Sequence, residues 1–402
     1  MQRKIAYEII KSSLINGEYA NLGLKKRLNE LKPIQRGFVT ELVNGVLRNL
    51  YLLDYQYQDL ISEEPKIELR ILLDMSIYER FYLGKDAYVA INEYVNLGKT
   101  KSEKGFLNAV LRKVNEFKEP EGDSIDSLSV KYSMPKWIVK MIFKQYDCEH
   151  FDFFMRELGN EPSVFYHLNT TKASYEDLKH YDIEPLNEHI FISKENMLLK
   201  PEFASGLYYV QDYNSARIVQ YLDLKEDSKL LDVCSAPGSK LFNALETIKD
   251  VNAYANDLHM HRVELIRKRA VQLGYANVNY LNEDATKIKP EDVGTFDRIL
   301  IDAPCSGLGV LKRKPDLRYH ILPENIDEIV QLQADILNNC SKLLVTDGIM
   351  VYSTCTINTK ENSRQVKKFL DNHPEFILLE ENNLIEREDS DRFYVAKLLK
   401  TA

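Results

Sequence analysis

Hydrophobic positions recur with a helical period through the first part of the chain. Phe38, Val39, Leu42, Val43, Val46, Leu47 and Leu50 trace one stripe, and Phe106, Leu107, Val110, Leu111, Val114 and Phe117 trace another. Residues 1–120 are therefore predicted to form an all-helical bundle whose stripes share a core. The stretch from Lys118 to Ser129 is polar and acidic and holds Pro120 and Gly122, which is linker chemistry. Residues 121–200 read as that linker followed by a small α+β connector. It has a helix opened by Ser133-Met134-Pro135 and short alternating runs at 163–168 and 189–192.

Over 201–402 the pattern changes. Leu230–Val233, Ala253–Asn256, Asn277–Leu281, Arg298–Ile301 and Ile349–Tyr352 are strand-like runs, separated by helix candidates at 240–248, 262–273 (closed by Gly274) and 325–344. Strict alternation of buried strands with helices predicts a C-terminal α/β domain with a parallel, doubly wound sheet. Ligands of such sheets bind beyond the carboxyl ends of the strands.

Composition narrows the class of protein. The 402 residues carry a formal charge of −8, which argues against a uniformly basic coat for nucleic acid, although residues 1–120 hold a net +3. Five widely spaced cysteines without a C-x-x-C pair suggest neither a disulfide framework nor a zinc site, so no metal and a reducing cytoplasm are expected. The segment after Arg3 and Lys4 is broken by Glu8 and Lys11 and lacks signal-peptide character. No window holds the roughly 18 apolar residues of a membrane span, so no membrane partner is expected.

Candidate chemistry falls at the predicted strand ends. Cys234, Ser235, Ala236, Pro237, Gly238, Ser239 and Lys240 form a small-residue turn where backbone amides can approach a ligand. Asp257 follows the second strand, 25 residues past Asp232, near the spacing at which an acid grips ribose hydroxyls. Asp284 follows the third. Together these trace one edge of a cleft suited to an adenosine-bearing ligand. The sharpest signal is Asp302-Ala303-Pro304-Cys305-Ser306-Gly307 after strand four and Ser353-Thr354-Cys355-Thr356 after strand five, which would bring two thiols over one pocket. Spacing alone leaves open which thiol would attack. Cys148, Cys234 and Cys340 read as small packing residues.

In this order the motifs resemble the RNA cytosine-5 methyltransferases that use S-adenosylmethionine. Arg36–Asn49 and Lys104–Lys113 are similar to the NusB-like domain of antitermination factors. The combination resembles bacterial 16S rRNA methyltransferases with such an N-terminal domain, over nearly the whole chain. The resemblance implies a helical RNA-binding domain, a Rossmann-like catalytic domain and methylation of one cytosine in small-subunit rRNA or an assembly intermediate. Carried over by motif, residues 234–240, Asp257, Asp284 and Asp302 would bind S-adenosylmethionine, Cys355 would be the nucleophile, and Cys305 would assist release. The chain departs from the family at Ser235 and Ser239, where Ala and Gly are common, and at Ser390-Asp391-Arg392-Phe393-Tyr394 in place of Asp-Gly-Phe-Phe.

Lys312, Arg313, Lys314 and Arg318, after the Cys305 loop, are candidate RNA phosphate clamps. Lys25–Arg27, Lys99, Lys101, Lys104, Arg112 and Lys113 are further candidates in the helical part. A monomer is expected. The competing reading is a non-catalytic RNA-binding or ribosome-assembly factor with a decayed methyltransferase fold. The intact acids and both strand-end thiols weigh against it. An amino-group methyltransferase is disfavoured because strand four ends in Asp-Ala-Pro-Cys.

Overall fold

The computed structural model describes every residue except Lys249 and Ala402, with Cys148 and Glu149 described by backbone alone. The packing role expected of Cys148 therefore lies outside the described residues. The chain forms two compact units, Met1–Asn160 with Leu311–Pro323, and Glu161–Val310 with Glu324–Ala402.

The first unit is helical, as its apolar period requires. Val39, Leu42, Val43, Val46 and Leu47, on the helix Pro33–Arg48, have no exposed surface, and Leu107, Val110, Leu111 and Val114 join the same core. Gly45 lies against the Tyr78 ring so closely that a Cβ would stand 2.0 Å from it. The helix Lys101–Leu111 opens with a capping box, Thr100 accepting from the Glu103 N–H and Glu103 from the Thr100 N–H.

The stretch expected as a linker and connector, 121–200, is divided between the units after Asn160. Within the expected linker, Ser124 accepts from the Ser127 N–H and starts a helix, Ile125–Lys131, that buries Leu128 and packs on the helix Leu50–Tyr55. The helix Lys136–Gln145 buries Ile138, Val139 and Ile142. Cap chemistry and buried apolar positions outweigh the linker composition.

Residues 311–323 return to this helical unit and overturn one expectation. Arg318 is fully buried and donates to the carbonyls of Ser133 at 2.9 Å, Arg48 at 3.3 Å and Leu158 at 3.3 Å. Asp316 accepts from the Ala20 N–H at 2.7 Å, and the Tyr319 hydroxyl donates to the Leu47 carbonyl at 2.8 Å. Lys312 is also buried, and its carbonyl faces Arg48. Lys312 and Arg318 are thus structural residues and cannot clamp RNA phosphates. Arg313 is half-buried, and Lys314 alone of the four is exposed.

The second unit contains two sheets. β1 (Tyr166–Leu168), β2 (Ile183–Pro185), β3 (Ile190–Ser193) and β4 (Tyr208–Val210) form an antiparallel sheet in the order β2-β3-β1-β4. The large sheet contains β5 (Lys229–Asp232), β6 (Asn252–Asn256), β7 (Val278–Leu281), β8 (Phe296–Asp302), β9 (Leu344–Thr354), β10 (Phe376–Leu384) and β11 (Phe393–Lys400), in the order β10-β11-β9-β8-β5-β6-β7. β5 to β9 are parallel as predicted, and β11 and β10 extend the sheet antiparallel.

Alternation along the buried strands serves two hydrophobic layers. Leu230, Leu300, Val351 and Val395 pack with Phe242, Ile266 and Ala270 on one face. Leu231, Ile299, Ile301, Met350 and Tyr352 pack with Ile336, Leu337, Cys340 and Phe369 on the other. This two-sided burial is why the strands read as continuous apolar runs. Among the described residues, no helix is long and apolar enough to cross a membrane.

Replacing Arg318 by Ala leaves buried carbonyls without donors. It is expected to destabilise the helical unit by about 3 kcal/mol in urea unfolding. Lys314→Ala should shift the same transition by less than about 0.5 kcal/mol. Equal effects from the two substitutions would exclude the structural assignment of Arg318.

Candidate active site

The parallel strands deliver their C-terminal loops to one edge of the large sheet, and the candidate residues sit on those loops. After β5 the chain turns through residues 233–238 into the helix Ser239–Thr247, with Gly238 at φ 96°. A Cβ there would stand 2.7 Å from the Phe242 ring, so both conformation and space require glycine. The Ser235 N–H donates to the Asn256 carbonyl at 2.8 Å, fixing the turn against β6. Asn256 is buried, donates to the Val233 and Glu283 carbonyls, and accepts from the Glu283 N–H at 2.9 Å, so one side chain aligns the ends of β5, β6 and β7.

The acids expected to hold a cofactor occupy defined positions. Asp257 is buried, accepts from the His259 N–H at 3.1 Å, and lies 3.4 Å from the Arg262 guanidinium. Asp284 accepts from the Thr286 N–H and hydroxyl and pairs with Lys287 at 2.8 Å, which together hold its carboxyl down at about 2. Asp302, at the end of β8, accepts from Lys240 at 2.6 Å and from the Ser353 hydroxyl at 3.0 Å. Burial would lower the Lys240 ammonium, but the adjoining Asp302 more than offsets it and holds the pKa above the ordinary lysine range.

The two strand-end thiols meet. Cys305 Sγ and Cys355 Sγ are 3.3 Å apart, and both residues are partly accessible. Hydrogen bonding to Cys355 and burial push the Cys305 thiol well above its usual range. Cys340 is different: it is fully buried in an apolar layer that pushes it up to about 12. Burial also pushes Cys234 upward, and its side chain packs against the same layer.

Sequence reasoning missed the residues that hold the thiol loops together. The buried Glu361 carboxylate accepts from the Ser306 N–H at 2.8 Å, the Ser306 hydroxyl at 2.6 Å, Asn358 at 3.0 Å and Gln333 at 3.2 Å. Gln333 also donates to the Pro304 carbonyl at 2.9 Å. Asn362 accepts from the Thr354 hydroxyl and donates to the Thr356 carbonyl. Gly309 donates to the Cys355 carbonyl at 2.9 Å, and a Cβ there would stand 2.8 Å from that oxygen and 2.3 Å from the Arg392 carbonyl. The signal was the polar run from Thr354 to Asn362 directly after a buried strand, where polar groups must find one another.

The site also suits a cationic ligand. Both Asp232 oxygens and the Ser235 hydroxyl are buried without a hydrogen-bond partner around the turn after β5. Orphaned acceptors beside a strand-end turn fit S-adenosylmethionine, whose ammonium and sulfonium are positive. Asp232, residues 234–240, Asp257, Asp284 and Asp302 are the groups at this edge that could hold it.

A parallel sheet with its antiparallel extension, together with this edge, defines a Rossmann-like S-adenosylmethionine-dependent methyltransferase. The family model described as 16S rRNA methyltransferase RsmB/F matches residues 219–399, and the NusB family model matches residues 1–116. The chain belongs to this methyltransferase family. It is 34% identical over 400 residues to the probable ribosomal RNA small subunit methyltransferase B of Bacillus subtilis, covering 93% of this chain and 89% of that protein. It is 29% identical over 402 residues to the corresponding probable enzyme of Synechocystis, covering 93% and 90%. The crystal structure of the protein PH0851 has the same fold, with a TM-score of 0.81 at 22% identity over 99% of this chain and 98% of that one.

Burial raises the Asp232 carboxyl to about 7. Because this lies above the unfolded value, the associated stabilisation is full below about pH 4 and is lost as pH rises through 7. Asp232→Asn should remove about 2 kcal/mol of the stability lost between pH 5 and pH 8. Identical pH slopes for the two proteins in urea unfolding would contradict the assignment.

Proposed function

We propose that the protein methylates carbon 5 of a specific cytosine in 16S rRNA through a covalent cysteine adduct at carbon 6. The observation that carries this reading is the pair of sulfurs 3.3 Å apart at the ends of adjacent parallel strands, beside the Lys240–Asp302 pair. Carbon 5 of cytosine is a poor nucleophile. Addition of a thiolate to carbon 6 moves electron density onto carbon 5, which is nucleophilic catalysis. When bound, S-adenosylmethionine supplies an electrophilic methyl group.

The resemblance to RNA cytosine-5 methyltransferases supports Cys355 as the attacking group. The Cys305 sulfur lies 3.3 Å from the Cys355 sulfur, within reach of the attacking group. After methyl transfer the carbon 5 proton departs, the carbon 5–carbon 6 double bond reforms, and the Cys355 sulfur leaves carbon 6. Cys305 assists this release. The ammonium of Lys240 and the carboxylate of Asp302 form the polar floor that faces charge developing on the ring.

Support for rRNA as substrate comes from the names of the relatives and from the NusB match. The exposed Lys25, Lys26, Lys99, Lys101, Arg112 and Lys113 are candidate phosphate contacts. Lys26 is paired with Glu18, which makes it a weaker candidate than the others.

Cys305→Ala should accumulate a protein–RNA species that survives denaturing electrophoresis, and Cys355→Ala should give none. The reverse outcome would make Cys305 the nucleophile. A separate measurement tests the cofactor edge. Asp257→Ala removes charge-assisted hydrogen bonds worth roughly 1.5 to 3 kcal/mol each, so calorimetry should show at least tenfold weaker S-adenosylmethionine binding. Unchanged affinity in a folded variant would exclude that role.

A further inference from the structure

Outside the thiol site, three side chains from distant parts of the second unit converge. His167 lies on β1, His189 directly precedes β3, and Glu246 is on the helix Ser239–Thr247. His167 Nε2 is 3.2 Å from Glu246 Oε2, and His189 Nδ1 is 3.2 Å from Glu246 Oε1. One ligand atom from each of the three residues falls within 4.8 Å of the others.

His167 is 1% exposed, yet neither ring nitrogen makes a hydrogen bond, and neither does Glu246 Oε2. Buried polar atoms ordinarily find partners. Here two of them stand 3.2 Å apart without hydrogen-bond alignment. That separation is close to the edge of a tetrahedron with ligand bonds of about 2.0 to 2.1 Å.

The surroundings hold the ligands in place. Glu246 Oε1 accepts from the Thr170 N–H at 2.8 Å and hydroxyl at 2.6 Å, leaving Oε2 directed at His167. The Tyr209 ring stacks on His167 at 4.8 Å and fixes its plane. His189 is half-exposed, which leaves one side of the set open to water.

We propose that His167, His189 and Glu246 bind a divalent transition-metal cation, with zinc the ion best suited to two imidazoles and one carboxylate. The ion would join the four-stranded sheet to the helix that carries Lys240, bracing the cofactor turn from behind. The ligands are separated by 22 and 57 residues and include no cysteine, which is why cysteine spacing gave no hint of a metal.

The test uses the full chain, stripped with a chelator and titrated with Zn²⁺ alone against a competing chromophoric chelator. The Cys305→Ser/Cys355→Ser background removes the thiols as competing ligands. One tightly held equivalent, and a higher thermal midpoint in its presence, are expected. His189→Ala, at a half-exposed position, should weaken binding at least 100-fold and abolish the thermal shift. Glu246→Gln should do the same. Absence of a bound equivalent in the thiol-free background, or undiminished affinity in folded His189→Ala, would overturn the proposal.

Discussion

The loops that carry the two thiols are tied together around a buried carboxylate. Glu361 follows β9, yet two of its four hydrogen bonds come from Ser306 on the loop after β8, so it bridges the two loops that carry the sulfurs. An ionised carboxylate offers about four lone-pair sites, and four donors use them. A shift of the loop after β8 would leave both Ser306 donors unpaired. Parallel strands bring the loops to the same edge, and Glu361, the Ser306–Thr356 hydroxyl pair at 2.7 Å and the Gly309 N–H on the Cys355 carbonyl join them where the sulfurs stand 3.3 Å apart.

Charge in the same edge is distributed with similar economy. Lys240 reaches back from the helix after β5 to Asp302 at the end of β8, and the Ser353 hydroxyl from β9 completes the link. Three neighbouring strands therefore share one polar chain beneath the sulfurs. The Lys240 ammonium also lies 4.9 Å from the Phe393 ring of β11, so the antiparallel extension contributes to the electrostatics of the floor. Asp232, one strand end away, has no such cation bonded to it, and its two oxygens remain available to a ligand.

Much of this was legible in the chain. The stripes at 38–50 and 106–117 became the helical core, and the apolar runs became β5 to β9, because burial on one helical face or both sheet faces leaves a direct mark on composition. The strand-end motifs were legible for the same reason: a sheet reading fixes where the loops must lie. β10 and β11 were not recognised. Most of β10, Ile377 to Asn383, is exposed edge, and its apolar run Phe376–Leu379 passes straight into Glu380-Glu381-Asn382-Asn383 without alternation. The burial of Lys312 and Arg318 was also invisible, since a basic loop with carbonyl acceptors far away in sequence looks like one facing solvent. Glu361 and the His167–Glu246 cluster share that property, because their meaning comes from contacts between distant segments.

The return of residues 311–323 to the helical unit imposes an order on biosynthesis. The carbonyls of Arg48, Ser133 and Leu158 emerge early, but their donor, Arg318, is made about 150 residues after the end of the first helical block. At ribosomal speeds of about 5 to 20 residues per second, the nascent bundle waits roughly 8 to 30 s with those acceptors unpaired. A chain ended near Asn160 is consequently not a finished unit, and neither is one that begins there, since it would carry Arg318 with its acceptors missing. The two ends of the polypeptide cannot be treated as independent modules, even though each has its own core.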